Sequence, residues 1–297
     1  MLFLLLHVVG NVAFLLLVRL ARGQRFNYPL VGLSNYVTAT LGAALALAWR
    51  RPPALVPLAL LYGAVNGAQY QLTYLLMYRL FGAVGVAVTT SILRLAVVVP
   101  VLASVLIWSE WPSMPQAIGL VLAAAALPLL SATRSLGSAP LAGRRQRLGE
   151  VVLVGTTLLI SGAGLLAAKA FAELSRPDQL PVYVAVAYAL ATLLSLVIWP
   201  RRAHFQAGGA PLTTSGAGLS LVLGVLIGLV NVGQLGALLR ALAQVSGVIA
   251  FPIAAAGGLA LTTVGARLFW QERVGLRPGI GIVLALLAAA LSNTSVR

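Results

Sequence analysis

Two stretches decide the fold: "WSEWPSMPQAIGLVLA" at residues 108–123 and "WQERVGLRPGIGIVLA" at residues 270–285. Laid over each other at a shift of 162, Trp108, Glu110, Ile118, Gly119, Val121, Leu122 and Ala123 fall on Trp270, Glu272, Ile280, Gly281, Val283, Leu284 and Ala285. A shift of 161 brings Gly63, Gly67 and Arg79 onto Gly224, Gly228 and Arg240. At 150, Asn11, Arg19 and Trp49 meet Ser161, Lys169 and Trp199. Apolar matches alone would carry little weight here. Ordered Trp, Glu, Gly and Arg matches across both halves mark a duplicated unit, and a repeat of that kind governs everything read afterwards.

Composition says what is duplicated. The 297 residues are 60% hydrophobic and only 8% charged, with a mean hydropathy of +1.00. Soluble domains carry about 25% charged residues, whereas apolar runs of about 20 residues match the hydrocarbon core of a bilayer. Spans are expected near 1–20, 29–49, 56–78, 84–107, 115–132, 151–172, 180–199, 217–239, 245–268 and 276–294. They are helices, because backbone groups in lipid must be satisfied within the segment and barrel strands would alternate in polarity. The first lacks a basic leader and is read as a true span rather than a signal peptide.

The expected fold is an all-α membrane protein of ten transmembrane helices in two inverted five-helix repeats. Residues 1–132 form the first, 150–297 the second, and 133–149 a basic linker loop. Inversion follows from parity, since an odd number of spans per unit inserts the second copy upside down. Such repeats around a midplane site are a transporter arrangement.

A net charge of +15 would point to nucleic acid in a soluble protein. Here the arginines are topology signals, and no nucleic-acid partner is expected. Loops after the odd-numbered spans carry Arg19, Arg22, Arg25, Arg79, Arg134, Arg144, Arg145, Arg147, Arg201, Arg202, Arg267, Arg273 and Arg277. The other side carries Arg50, Arg51, Lys169, Arg176, Arg240 and Arg297. The positive-inside rule then places both termini outside. Cysteine is absent, which excludes disulfides and thiolate metal sites; no metal or cofactor is expected.

Two fives of helices, with Pro100, Glu110 closing the fourth span and "QAIGLVLAAAAL" opening the fifth, resemble the drug/metabolite transporter superfamily, EamA-like branch. Glu272 followed by "GIGIVLALLAAAL" is similar to the same element in a second copy. The resemblance covers essentially the whole chain. It implies a secondary carrier, not an enzyme, in a bacterial-type plasma (inner) membrane, as monomer or homodimer, for solutes that range from amino acids and sugars to phosphorylated metabolites and drugs. It also implies cytoplasmic termini, against the arginine count.

Polar residues at membrane depth are the candidate solute contacts. Tyr62, Asn66, Gln69, Tyr70, Thr73 and Met77 recur at spacings of three and four and share one helix face. They serve either interhelical hydrogen bonding or a cavity wall. In the second copy Asn231 aligns with Tyr70 and Gln234 with Thr73, so a cavity built from both would be chemically lopsided. His7 and Asn11 lie one turn apart on the first span. His7 is either an interfacial residue or a proton or anion carrier. Pro100 and Pro252 interrupt their helices and could act as hinges or as fixed bends.

Arg94 is the one charge deep in a span. It sits about ten residues, or roughly 15 Å, along the fourth span, where insertion costs on the order of 2.5–3.5 kcal/mol. No Asp or Glu lies at that depth anywhere, so cationic drugs would find no countercharge. Thr90, one turn earlier, could help Arg94 bind an oxyanion. The repeat mate of Arg94 is Ala256, which argues against a symmetric structural role. The leading reading is export or exchange of a small polar carboxylate- or phosphate-bearing solute, amino-acid-like foremost. Multidrug or lipophilic-compound efflux is the rival, and an intramembrane lipid-modifying enzyme is remote. A reporter fused at Arg297 reads outside the cytoplasm if the arginine bias sets orientation; a cytoplasmic signal assigns the family habit instead.

Overall fold

The computed structural model describes residues 1–21, 26–50, 56–83, 89, 93–131, 144–201, 214–270 and 276–293. The helices are α1 Leu2–Ala21, α2 Tyr28–Arg50, α3 Pro57–Ala83, α4 Val98–Leu106, α5 Met114–Ser131, α6 Arg144–Leu174, α7 Leu180–Ile198, α8 Thr214–Leu242, α9 Gly247–Trp270 and α10 Leu276–Asn293. A 3-10 turn, Pro177–Gln179, leads into α7, and another at 199–201 follows it. No strand occurs among the described residues. Segments of α1, α2, α6, α8 and α9, and α7 with its 3-10 turns, are long and apolar enough to cross a bilayer. Those six make the chain a multi-pass membrane protein. The apolar stretches Leu93–Leu106, Met114–Ala126 and Gly279–Ala288 are shorter. α3 has the length, but its amides and phenols keep it out of that set.

The sequence reading ended its linker at residue 149, yet α6 begins at Arg144. Arginine, glutamine and leucine are good helix formers, so the basic flank extends the helix beyond its apolar core.

The described chain divides into two compact units, Met1–Leu75 with Ala167–Ala243, and Leu76–Leu166 with Gln244–Arg297. Each takes helices from both halves of the sequence.

In the first unit, α2 and α8 pack along their lengths, as do α1 with α8 and α2 with α7. Glycine sets how closely they approach. A Cβ on Gly63 would lie 2.8 Å from the Tyr183 carbonyl oxygen, and one on Gly67 would overlap that of Ala187. A Cβ on Gly224 would lie 2.7 Å from the Val31 oxygen, and one on Gly228 2.5 Å from that of Asn35. These contacts answer each other. Gly224 and Gly228 lie 161 positions beyond Gly63 and Gly67, while Tyr183 and Ala187 lie 152 beyond Val31 and Asn35. Two hydroxyls repeat the pattern: Tyr36 donates to the Tyr70 carbonyl at 2.9 Å and Tyr188 to that of Asn231 at 2.8 Å. Tyr188 and Asn231 stand 152 and 161 positions beyond Tyr36 and Tyr70.

In the second unit α5 packs on α10. Ala123 and Ala126 are buried on one, and their mates at 162, Ala285 and Ala288, on the other. Small side chains let membrane helices approach without a hydrophobic driving force between them. Pro100 lacks an N–H and its ring crowds the carbonyl four residues back. The helical turn does break there: at Ala96 and Val97 the regular pattern lapses, and Val99 donates to Ala96 at 3.2 Å. Pro252 stays inside an unbroken α9. Glu110 is a cap. Its Oε2 accepts from the Ser246 hydroxyl and the Gly247 N–H, both at 2.9 Å, at the start of α9. Ser109 before it takes φ 54°, the left-handed region.

Gly67→Ala or Gly228→Ala forces backbones apart and is expected to cost about 1–3 kcal/mol, read as a lower melting temperature in detergent. Gly233→Ala is the control. A Cβ there meets nothing within 4 Å, so it should be neutral or stabilise by about 0.5–1 kcal/mol.

Candidate functional site

Eight of the sequence-derived candidates belong to the first unit: His7, Asn11, Asn66, Gln69, Tyr70, Thr73, Asn231 and Gln234. Several are joined in a chain of amides. The Asn231 Nδ2 donates to Asn35 Oδ1 at 3.2 Å, and Gln234 Nε2 donates to Asn231 Oδ1 at 3.0 Å. All three side chains are buried. The His7 Nδ1 lies 3.0 Å from the Gln234 carbonyl oxygen, so Nδ1 carries the proton. Gly10 permits this approach, since a Cβ there would sit 2.9 Å from that of Gln234.

The amide chain has open ends. Asn35 Nδ2 and Gln234 Oε1 are buried and make no hydrogen bond among the described residues, and Asn11 Oδ1 is in the same condition. Buried amides in lipid ordinarily find partners, and a lone buried donor or acceptor costs about 1–3 kcal/mol. Three open amide atoms in one unit are therefore chemically available groups.

Aromatic rings extend the network. The Tyr70 ring stacks on Tyr188 at 5.6 Å and 15°. Tyr74 stacks on Tyr28 at 4.5 Å, meets Tyr36 edge-on at 6.0 Å, and donates to the Tyr28 carbonyl at 2.8 Å. On α3, Gln69 Nε2 is tied to Thr73 Oγ1 one turn away at 2.8 Å, and Asn66 is buried. So His7, Asn231 and Gln234 are directly bonded, and Tyr70 joins them through Tyr188. Gln69 and Thr73 pair along their own helix.

Three polar positions escaped the sequence reading. Gln71 is buried and accepts from the Ser195 hydroxyl at 2.7 Å. Its signal was the spacing Gly63, Gly67, Gln71, Tyr74, a packing face of α3 with one amide in it. Beside that bond lies a cavity of about 30 Å³ lined by Tyr28, Gly32, Gln71, Tyr74, Ser195 and Trp199 among others, room for a water or two. Asn35 is the far end of the amide chain. Lys169 and Glu173 stand one helical turn apart, a spacing that reads as an exposed pair. The pair forms, but Lys169 is fully buried and only Glu173 reaches the surface. Salt-bridge spacing is visible in a sequence, whereas the depth of a lysine is not. Tyr183 and Tyr188 are both wholly buried.

Arg94, Pro100 and Pro252 belong to the second unit. The Arg94 guanidinium lies against Gly258 of α9. Its Nη2 is buried and makes no hydrogen bond among the described residues. Thr90, its proposed helper, and Glu272, the mate of Glu110, lie outside the described residues. Among the described residues no three His, Cys, Asp or Glu side chains come together as a metal site would need.

No family model and no curated protein matches this chain. Solved structures do match. One crystal structure of a protein aligns over 98% of this chain and 95% of its own, with a TM-score of 0.70 and 15% identity. At that identity the likeness is one of fold.

Asn231→Ala removes the middle of the amide chain and strands Asn35 Oδ1 and Gln234 Nε2. At about 0.6 kcal/mol per side-chain bond between membrane helices, the expected loss is on the order of 1 kcal/mol. Melting in detergent should fall further for Asn231→Ala than for Gln69→Ala, which breaks one bond within a helix.

Proposed function

We propose that this chain is a secondary transmembrane carrier of the drug/metabolite transporter type, working by alternating access between two inverted five-helix repeats. The observation that carries the reading is the reciprocal seating in the first unit. The third helix of each half rests two glycines on carbonyls of the second helix of the other half, at matching registers. Paired contacts of that kind are what a duplicated, inverted scaffold produces, and exchanging the conformations of two such halves turns an outward-facing site inward.

The solute is a small polar organic molecule bearing a carboxylate or phosphate, amino-acid-like foremost. Arg94 supports this choice. It is a guanidinium in an apolar segment with no ion pair among the described residues, and such a residue in a membrane is a functional candidate by default. The amide chain of Asn35, Asn231 and Gln234, with His7 on its carbonyl, supplies neutral donors and acceptors in the other unit. The protein is placed in a bacterial-type plasma membrane, as monomer or homodimer.

The test is uptake by the purified protein in liposomes. Anionic metabolites should compete with one another for transport. A hydrogen bond to a charged group is worth about 1.5–3 kcal/mol, so Arg94→Ala should weaken apparent affinity by roughly 10- to 150-fold while the protein stays folded. Transport of hydrophobic cations that ignores this substitution would overturn the anion reading and leave multidrug efflux in its place.

A further inference from the structure

We infer that Gly258 belongs to the Arg94 anion site as its positioning residue, leaving the room in which the guanidinium sits with its buried Nη2 open to a carboxylate or phosphate oxygen. The inference rests on the carrier reading above and deepens it.

The geometry is specific. A Cβ on Gly258 would lie 2.9 Å from Arg94 Nη1, 2.9 Å from Nη2 and 3.0 Å from Cζ. That point is nearer to both terminal nitrogens than to Cζ, so it lies obliquely beyond the Nη1–Nη2 edge. The guanidinium therefore occupies the space that a side chain at this position of α9 would fill. The Gly258 carbonyl is already engaged, accepting from the Thr262 hydroxyl at 2.6 Å. The buried Nη2 finds no acceptor among the described residues, and an incoming oxyanion would be one.

The repeat explains why glycine stands here. At the shift of 162, Arg94 answers to Ala256 and Gly258 to Ala96. The related pair is thus alanine with alanine, both fully buried. On the Arg94 side a large side chain stands in the place of one alanine and a glycine in the place of the other. Glycine is unfavourable inside a helix and persists where a close approach needs it. A methyl here would leave no room for the guanidinium in this pose.

The experiment is a double-mutant cycle on the full-length protein in detergent, with inorganic phosphate, acetate and benzoate as probes and thermal unfolding as the readout. The wild type should be stabilised by at least one anion, and Arg94→Ala should lose that shift. Gly258→Ala should raise the half-saturating anion concentration at least tenfold. In an Arg94→Lys background, whose slimmer ammonium tolerates the methyl, Gly258→Ala should change binding less than twofold. Without ligand, Gly258→Ala should lower the melting temperature when Arg94 is present and not when it is Ala; misfolding confined to the Arg94 protein supports the inference equally. Wild-type binding by Gly258→Ala, or an equal loss in both backgrounds, overturns the role of Gly258 and leaves the anion reading standing. Anion binding that survives Arg94→Ala, or is absent from the wild type, removes both.

Discussion

The closeness of four helix backbones in the first unit underlies most of what else can be said. In lipid there is no hydrophobic gain in bringing two apolar helices together, so contact depends on shape and on polar bonds. Gly63 and Gly67 supply the shape against α7, and Gly224 and Gly228 supply it against α2. With the backbones that near, hydroxyls reach carbonyls across helices. Tyr36 on Tyr70 and Tyr188 on Asn231 are the result. The same approach brings Asn35 within bonding distance of Asn231.

Symmetry of the scaffold and asymmetry of its chemistry coexist there. The glycines and tyrosines repeat across the halves, whereas the residues they present do not. Tyr70 is an aromatic surface that stacks on Tyr188; Asn231, in the matching place, is the centre of an amide chain. Close backbone packing needs only the matching glycines, whereas the side chains in matching places are free to differ. Arg94 and Ala256 make the same contrast in the second unit. There the Arg94 guanidinium lies against a glycine, Gly258.

Much of the fold was legible because it depends on composition and on coarse pattern. Spans follow from apolar length, and several described helix ends fall within a few residues of expectation. The basic flank lengthened α6, and the fourth span, expected at 84–107, is interrupted at Ala96 and Val97 so that α4 starts only at Val98. The Trp-x-Glu motif was visible, as was a local role for its glutamate. That Glu110 caps the start of α9, more than a hundred residues away, was not visible, because the partner is set by packing. Among candidate contacts, the stripe on α3 was readable by its period. Gln71 was hidden because it sits on the glycine face, where sequence alone reads packing.

The sequence by itself determined a helical membrane chain, with Trp, Glu and Gly matches between its two halves and one arginine at depth with no acid to match it. These are properties of length, hydropathy and repetition, and they survive any detail of packing. Only the tertiary structure decided which polar groups meet: His7 with the Gln234 carbonyl, Asn231 between two amides, Arg94 on Gly258, and Lys169 out of reach of solvent. The physical reason is that a hydrogen bond or a close packing contact depends on distances of a few tenths of an ångström. Those distances are fixed by how closely backbones from the two ends of the chain can approach, and that closeness is written in glycines whose partners no linear reading can name.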